Sequence, residues 1–186
     1  MALHPQAATV IAQTRQWIER LVLAHNLCPF AHQPYQTDRI RFSVTAATKP
    51  ELLLAVLKAE LHALQATPTE KVATTLLIHP EVLTDFYAYN DFLDDADELL
   101  YQEGLEGILQ IASFHPHYQF SGTEPDNAEN YTNRSPYPML HLLREASLEQ
   151  AIAQHPNVDA IPERNIQVMH QLGVDTLKRI LQGKSV

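Results

Sequence analysis

Apolar positions recur at helical spacing from Thr9 to Asn26, where Val10, Thr14, Trp17, Leu21 and Ala24 share one side. The spacing predicts an amphipathic helix that stops near Asn26-Leu27, because Pro29 disfavours helical backbone just before it. From Arg39 to Thr45 the pattern alternates: Ile40, Phe42 and Val44 on one side, Arg39, Arg41 and Ser43 on the other. This reads as an edge strand with one wet face. Thr48-Lys-Pro-Glu51 reads as a capping box opening a second helix, with Leu53, Val56, Leu57, Glu60, Leu61 and Leu64 on its apolar flank.

Val72 to Ile78 is short, β-branched and apolar, the pattern of a buried strand. Leu83 to Gln102 predicts a third helix, striped by Phe86, Tyr89, Leu93, Ala96 and Leu100, and Ile108 to Phe114 predicts another buried strand. His115 to Pro138 then has no periodicity. A structureless stretch of that length tends to be functional or disordered, and Tyr118, Phe120, Tyr131 and Tyr137 argue for order. Beyond it the chain reads as helical: one helix over Met139 to Ala146, one opened by a capping box at Ser147-Leu-Glu-Gln150, one from about Asp159 to Leu172 ended by Gly173, and a short last one capped by Asp175. A short fourth strand is an option at about His117 to Phe120.

Strands alternating with helices predict a single α/β domain over residues 1–186. Its sheet would be small and mostly parallel, of three or four strands with helical crossovers, followed by a helical C-terminal segment. An α+β ferredoxin-like arrangement is the alternative.

Composition narrows the function. The five glycines stand at 104, 107, 122, 173 and 183, none as G-x-G, which excludes a Rossmann fingerprint and a Walker A loop. One cysteine, Cys28, excludes an intrachain disulfide and a multi-thiolate zinc site. It falls at a helix exit, where the dipole opposes a thiolate, so it reads as a structural thiol. A formal charge of −9 argues against nucleic acid or an anionic membrane as partner, leaving a small-molecule ligand. The segment from Met1 to Gln16 has no basic region followed by an apolar core, so a cytoplasmic protein is expected.

Ten histidines are a large share for 186 residues. Two of them end buried strands alike, in Leu77-Ile78-His79-Pro80 and Ser113-Phe114-His115-Pro116. Ligands of open α/β sheets sit outside the carboxyl ends of strands. His79 and His115 are therefore the candidate acid–base groups, or else backbone-capping imidazoles. Arg134, Tyr118, Tyr131 and Asn90 are the candidate substrate contacts, with Arg134 suggesting an anionic metabolite. A divalent-metal alternative uses His79 and His115 with His141 and Glu145, which would share a helix face at i, i+4. His115-Pro-His117 has a metal-pair spacing if extended. The acidic run from Asp91 to Glu98 has no EF-hand pattern and reads as a solvated face. A non-enzymatic protein-binding module is the third alternative. No feature specifies a cofactor or an oligomeric state.

The segments NLCPFA (26–31), LIHPEVLTDFYAYNDFLDDADELL (77–100) and LQIASFHPHYQFSGTEPDNAENYTNRSPYPMLHLLREASL (109–148) resemble an uncharacterised family found chiefly in bacteria, known as domain of unknown function 1415. The resemblance runs from the Trp17 helix through Glu163-Arg164-Asn165. It implies one domain of this extent and carries no catalytic residue to transfer.

Overall fold

The computed structural model describes residues 4–155 and 157–184. Seven α-helices and four strands are described: α1 (Ala7–Trp17), α2 (His32–Gln36), β1 (Ile40–Val44), α3 (Pro50–Ala66), β2 (Thr74–Ile78), α4 (Phe86–Gln102), β3 (Leu109–Phe114), β4 (Met139–Arg144), α5 (Glu145–Gln154), α6 (Ile161–Leu172) and α7 (Val174–Leu181). A π-helical turn, Ile18–Leu23, continues α1, and a 3-10 turn, Ala128–Thr132, lies within the long loop. The α/β class and the helical C-terminal segment stand as the pattern predicts.

The strand order is β1-β2-β4-β3. β1 and β2 pair in parallel, while β4 runs antiparallel to both β2 and β3. The sheet is thus mixed, and β2 and β3 are not neighbours. The difference comes from one segment. Met139 to Arg144 is a central strand, not the helix its leucines suggest, and residues 117–120 form no strand. A strand buried on both faces shows no alternation, so a short apolar run does not distinguish it from a helix. Paired on both sides, this segment satisfies its backbone in the sheet, which outweighs helix propensity.

Each face carries its own core. On the first, α3 and α4 bring Leu53, Leu57, Leu61, Tyr89 and Phe92 onto Leu77, Leu140 and Leu142. On the second, α1 with its π-helical continuation, α6 and α7 pack Trp17, Leu21, Met169 and Leu177 against Val44, Ile78 and Met139. β1 is an edge strand as expected, and its polar face is only partly wet: Arg41 is exposed and Ser43 half-buried. Arg41 and Ser43 bond Glu60 of α3, which is itself buried. Burial of a carboxylate requires such partners.

Helix ends differ in detail from the capping signals. α3 starts at Pro50, as its N-terminal proline allows, but without a side-chain cap bond. α5 starts two residues before the Ser147 box, also uncapped. α4 is capped by Asp85, whose carboxylate accepts from the Ala88 N–H. Arg144 Nη2 reaches the carbonyls of Leu64, Thr67 and Val72, closing the C-terminal end of α3.

Candidate functional site

His79 and His115 leave the carboxyl ends of β2 and β3 on the first face, with β4 between the two strands. Both are buried at 0% exposure. Between them lies Tyr89 of α4. Its ring stacks on His79 at 5.8 Å and lies 5.0 Å from His115. Phe86, one turn earlier, packs 5.5 Å from His115 and 5.1 Å from Tyr118. The helical stripe that reads as plain core in the sequence is also the wall of the histidine pair.

The two imidazoles are neutral in opposite tautomers. His79 Nδ1 lies 2.9 Å from the Val82 carbonyl, so this nitrogen carries the proton and donates. Its Nε2 is then a bare lone pair, buried with no partner among the described residues. His115 Nδ1 accepts from the His117 N–H at 3.0 Å, so its Nε2 carries the proton, which it gives to the Leu83 carbonyl at 3.1 Å. Both nitrogens of His115 are engaged, and the two rings hold consecutive carbonyls of the 80–85 segment. Leu83 has φ +56°, a left-handed conformation that costs a non-glycine residue about 1–3 kcal/mol.

Burial lowers the pKa of His79 to about 4, and the neighbouring His115 adds to the effect. Burial likewise takes His115 to about 4, assisted by His117. Desolvation penalises the charged ring in each case. Burial drives the Tyr89 phenol up, so it stays protonated. Its hydroxyl donates to the Met139 carbonyl at 2.8 Å and accepts from the Phe114 N–H at 3.1 Å.

The other candidates are distributed differently. Tyr118 is half-buried and joins the aromatic group around His115. Tyr131 is 1% exposed, beneath the guanidinium of Arg134 at 4.5 Å. Arg134 gives Nε to the Tyr118 carbonyl and Nη2 to that of Pro125, tying the long loop together. The residue behind the expectation of an anionic substrate is thus committed to the loop. Arg134→Lys keeps the charge but cannot span both carbonyls. It should lower stability by about 2 kcal/mol, seen as a shift in the urea midpoint. Asn90 is exposed on α4.

The proposed metal quartet does not assemble. His141 is on β4, where alternation puts it on the second face with Met139. Its Nε2 donates to Thr74 Oγ1 at 2.8 Å, since that hydroxyl gives its own proton to the Leu142 carbonyl. Burial takes His141, too, to about 4. Glu145 begins α5 at the far end of β4, about 20 Å along the strand from Met139. The shared helix face of His141 and Glu145 does not exist, because a strand occupies that segment. Among the described residues no three His, Cys, Asp or Glu side chains cluster as a metal site. Cys28 is half-buried, and burial raises its pKa.

A cavity of about 490 Å³ opens between the long loop and α6, lined by Glu129, Asn133 and Asn165 among others. A second, of about 610 Å³, lies between the π-helical turn and α7. Neither is lined by a histidine of the pair.

The fold and this buried pair define an α/β protein with neutral imidazoles at the carboxyl ends of β2 and β3. Residues 9–179 match the family described as Protein of unknown function (DUF1415), and the chain belongs to that family. No curated protein and no solved structure matches it. No helix among the described residues is long and apolar enough to cross a membrane.

Two contributors were not legible as such. Tyr89 carries no signal beyond its place in an apolar stripe. The Leu83 turn has no glycine or asparagine to announce it.

Proposed function

We propose that the protein is an enzyme acting on a small molecule by histidine acid–base chemistry, with His79 Nε2 as the proton acceptor. One observation supports this above the rest: a basic nitrogen buried without a donor. Leaving such a group unsatisfied costs about 1–3 kcal/mol, and in a native fold it calls for a role. A substrate O–H or N–H brought to Nε2 would supply the missing bond and the proton. With its pKa near 4 the ring is neutral at pH 7, so its lone pair is unprotonated, and a bound substrate would have to raise its basicity to draw a proton. His115 orients the assembly through Leu83, and Tyr118 and Phe86 supply apolar walls. Access would run through the 80–85 segment, which two imidazole bonds hold over the rings.

His79→Asn separates catalysis from scaffolding. Asparagine places its amide nitrogen near the position of Nδ1 and keeps the Val82 bond, but it has no counterpart of Nε2. Substrates would first be sought by thermal shift across a metabolite panel, and hits then assayed for turnover. We expect His79→Asn to fold and to lose about 10²–10⁴-fold in kcat. Unchanged turnover in this variant would sink the proposal.

The hydrogen bonds to Val82 and Leu83 favour a second reading, in which both imidazoles are staples for a strained turn. That reading expects no turnover from the wild type, and a faster-exchanging 80–85 backbone once either histidine is removed.

A further inference from the structure

The cavity between the long loop and α6 has a chemistry of its own. Its volume of about 490 Å³ is that of a small-molecule site. Phe120, Ile161, Pro162 and Ile166 supply apolar walls. Each of its neutral polar side chains gives a donor to the protein. The single hydroxyl proton of Thr123 lies within reach of the Phe120 carbonyl and Asn130 Oδ1, and that of Thr132 within reach of the Glu129 carbonyl and Asn133 Oδ1. The amide nitrogens of Asn133 and Asn165 bond the carbonyls of Ser113 and Leu27. The amide oxygens of Asn133 and Asn165 accept in turn from Thr132 Oγ1 and Arg164 Nη1, so the neutral groups are largely engaged within the protein.

Glu129 is the single ionisable residue in that lining. Among the described residues its carboxylate is contacted by Asn127 Nδ2 at 3.4 Å and by the largely exposed His170 Nε2 at 3.3 Å. An oxygen with spare lone pairs, half-shielded beside apolar walls, selects a charged donor and rejects an anion.

We propose that this cavity binds a small organic cation, an alkyl- or arylamine whose ammonium pairs with Glu129 and whose apolar body lies against Phe120 and Ile166. Neither His79 nor His115 lines this cavity, so either proposal can fail without the other.

The test is NMR titration of the whole protein with phenethylamine and, in parallel, with 3-phenylpropionate, a near-isostere of opposite charge. Phenethylamine at up to about 10 mM should shift amides within 120–133 and 161–166, with an affinity near millimolar. Phenylpropionate should leave them unmoved. Glu129→Gln preserves volume and should weaken amine binding at least about tenfold at an unchanged melting temperature. Ile166→Trp, which fills the cavity from an exposed position, should abolish binding even if Glu129→Gln proves unstable. Equal binding of acid and amine, undiminished binding in either variant, or no shift in the wild type would each overturn the assignment.

Discussion

Between pH 7 and pH 4 the protein will lose several kcal/mol of stability, and histidine burial is the cause. His79, His115 and His141 are each taken down to about 4 in the folded chain, from an ordinary value of 6.5. Above pH 6.5 both folded and unfolded chains hold these rings neutral, so no penalty exists. As the pH falls below 6.5 the unfolded chain takes up protons that the folded one refuses. The unfolded state gains in proportion, and the loss is complete once the pH passes the folded value near 4. For the fully buried His79 this amounts to about 3 kcal/mol, at roughly 1.4 kcal/mol for each unit of pKa. His115 and His141 act in the same direction. Urea midpoints measured from pH 7 to pH 4 should fall steeply, and His79→Asn should flatten the slope by its own share. A variant with the wild-type slope would remove His79 from the explanation.

Tyr89→Phe should cost about 2–4 kcal/mol, a large effect for one oxygen. The hydroxyl joins the Phe114 N–H to the Met139 carbonyl, and those residues are the last pair of the β3–β4 ladder. Removing it leaves a buried donor and a buried acceptor together, each worth about 1–3 kcal/mol when unpaired. The ring and its stacking on His79 remain, so the loss isolates the hydrogen bonds. Denaturant unfolding should show a lower midpoint at unchanged slope, and the Phe114 amide should exchange faster. A loss below about 1 kcal/mol would mean that the two strands close on each other directly and that the phenol is dispensable.

These two effects meet at one place. Tyr89 is wedged where the sheet hands the chain to the long loop, and the imidazoles pack on its ring. Stability at this corner and the buried Nε2 of His79 are therefore coupled, so chemistry and folding must be separated by variants that keep the bonds while deleting one atom. His79→Asn does so for the nitrogen, and Tyr89→Phe does so for the hydroxyl.

Much of the frame is legible in local pattern. Alternation located β1, short apolar runs located β2 and β3, and helical stripes located α3 and α4 within a few residues, but β3 is an edge strand with only Leu109 buried and not the buried strand its run predicts. Those signals are local, since each segment needs only one buried side or one apolar run to announce its period. The ends of β2 and β3 also placed His79 and His115, because His-Pro directly follows each run.

Strand order was decided by tertiary structure alone. β4 inserts between β2 and β3, and nothing within Met139 to Arg144 distinguishes a central strand from a helix. Its identity comes from partners dozens of residues away. That single insertion sends His141 to the second face, dissolves the metal quartet and separates β2 from β3. Tautomers followed the same rule. Which nitrogen of His79 is bare depends on where the Val82 carbonyl lies, and that depends on a left-handed Leu83 with no turn residue to mark it. Arg134 and Glu129 exchanged significance for a similar reason. Charge is written in the sequence, but whether it faces a ligand or the protein's own carbonyls is settled only by packing.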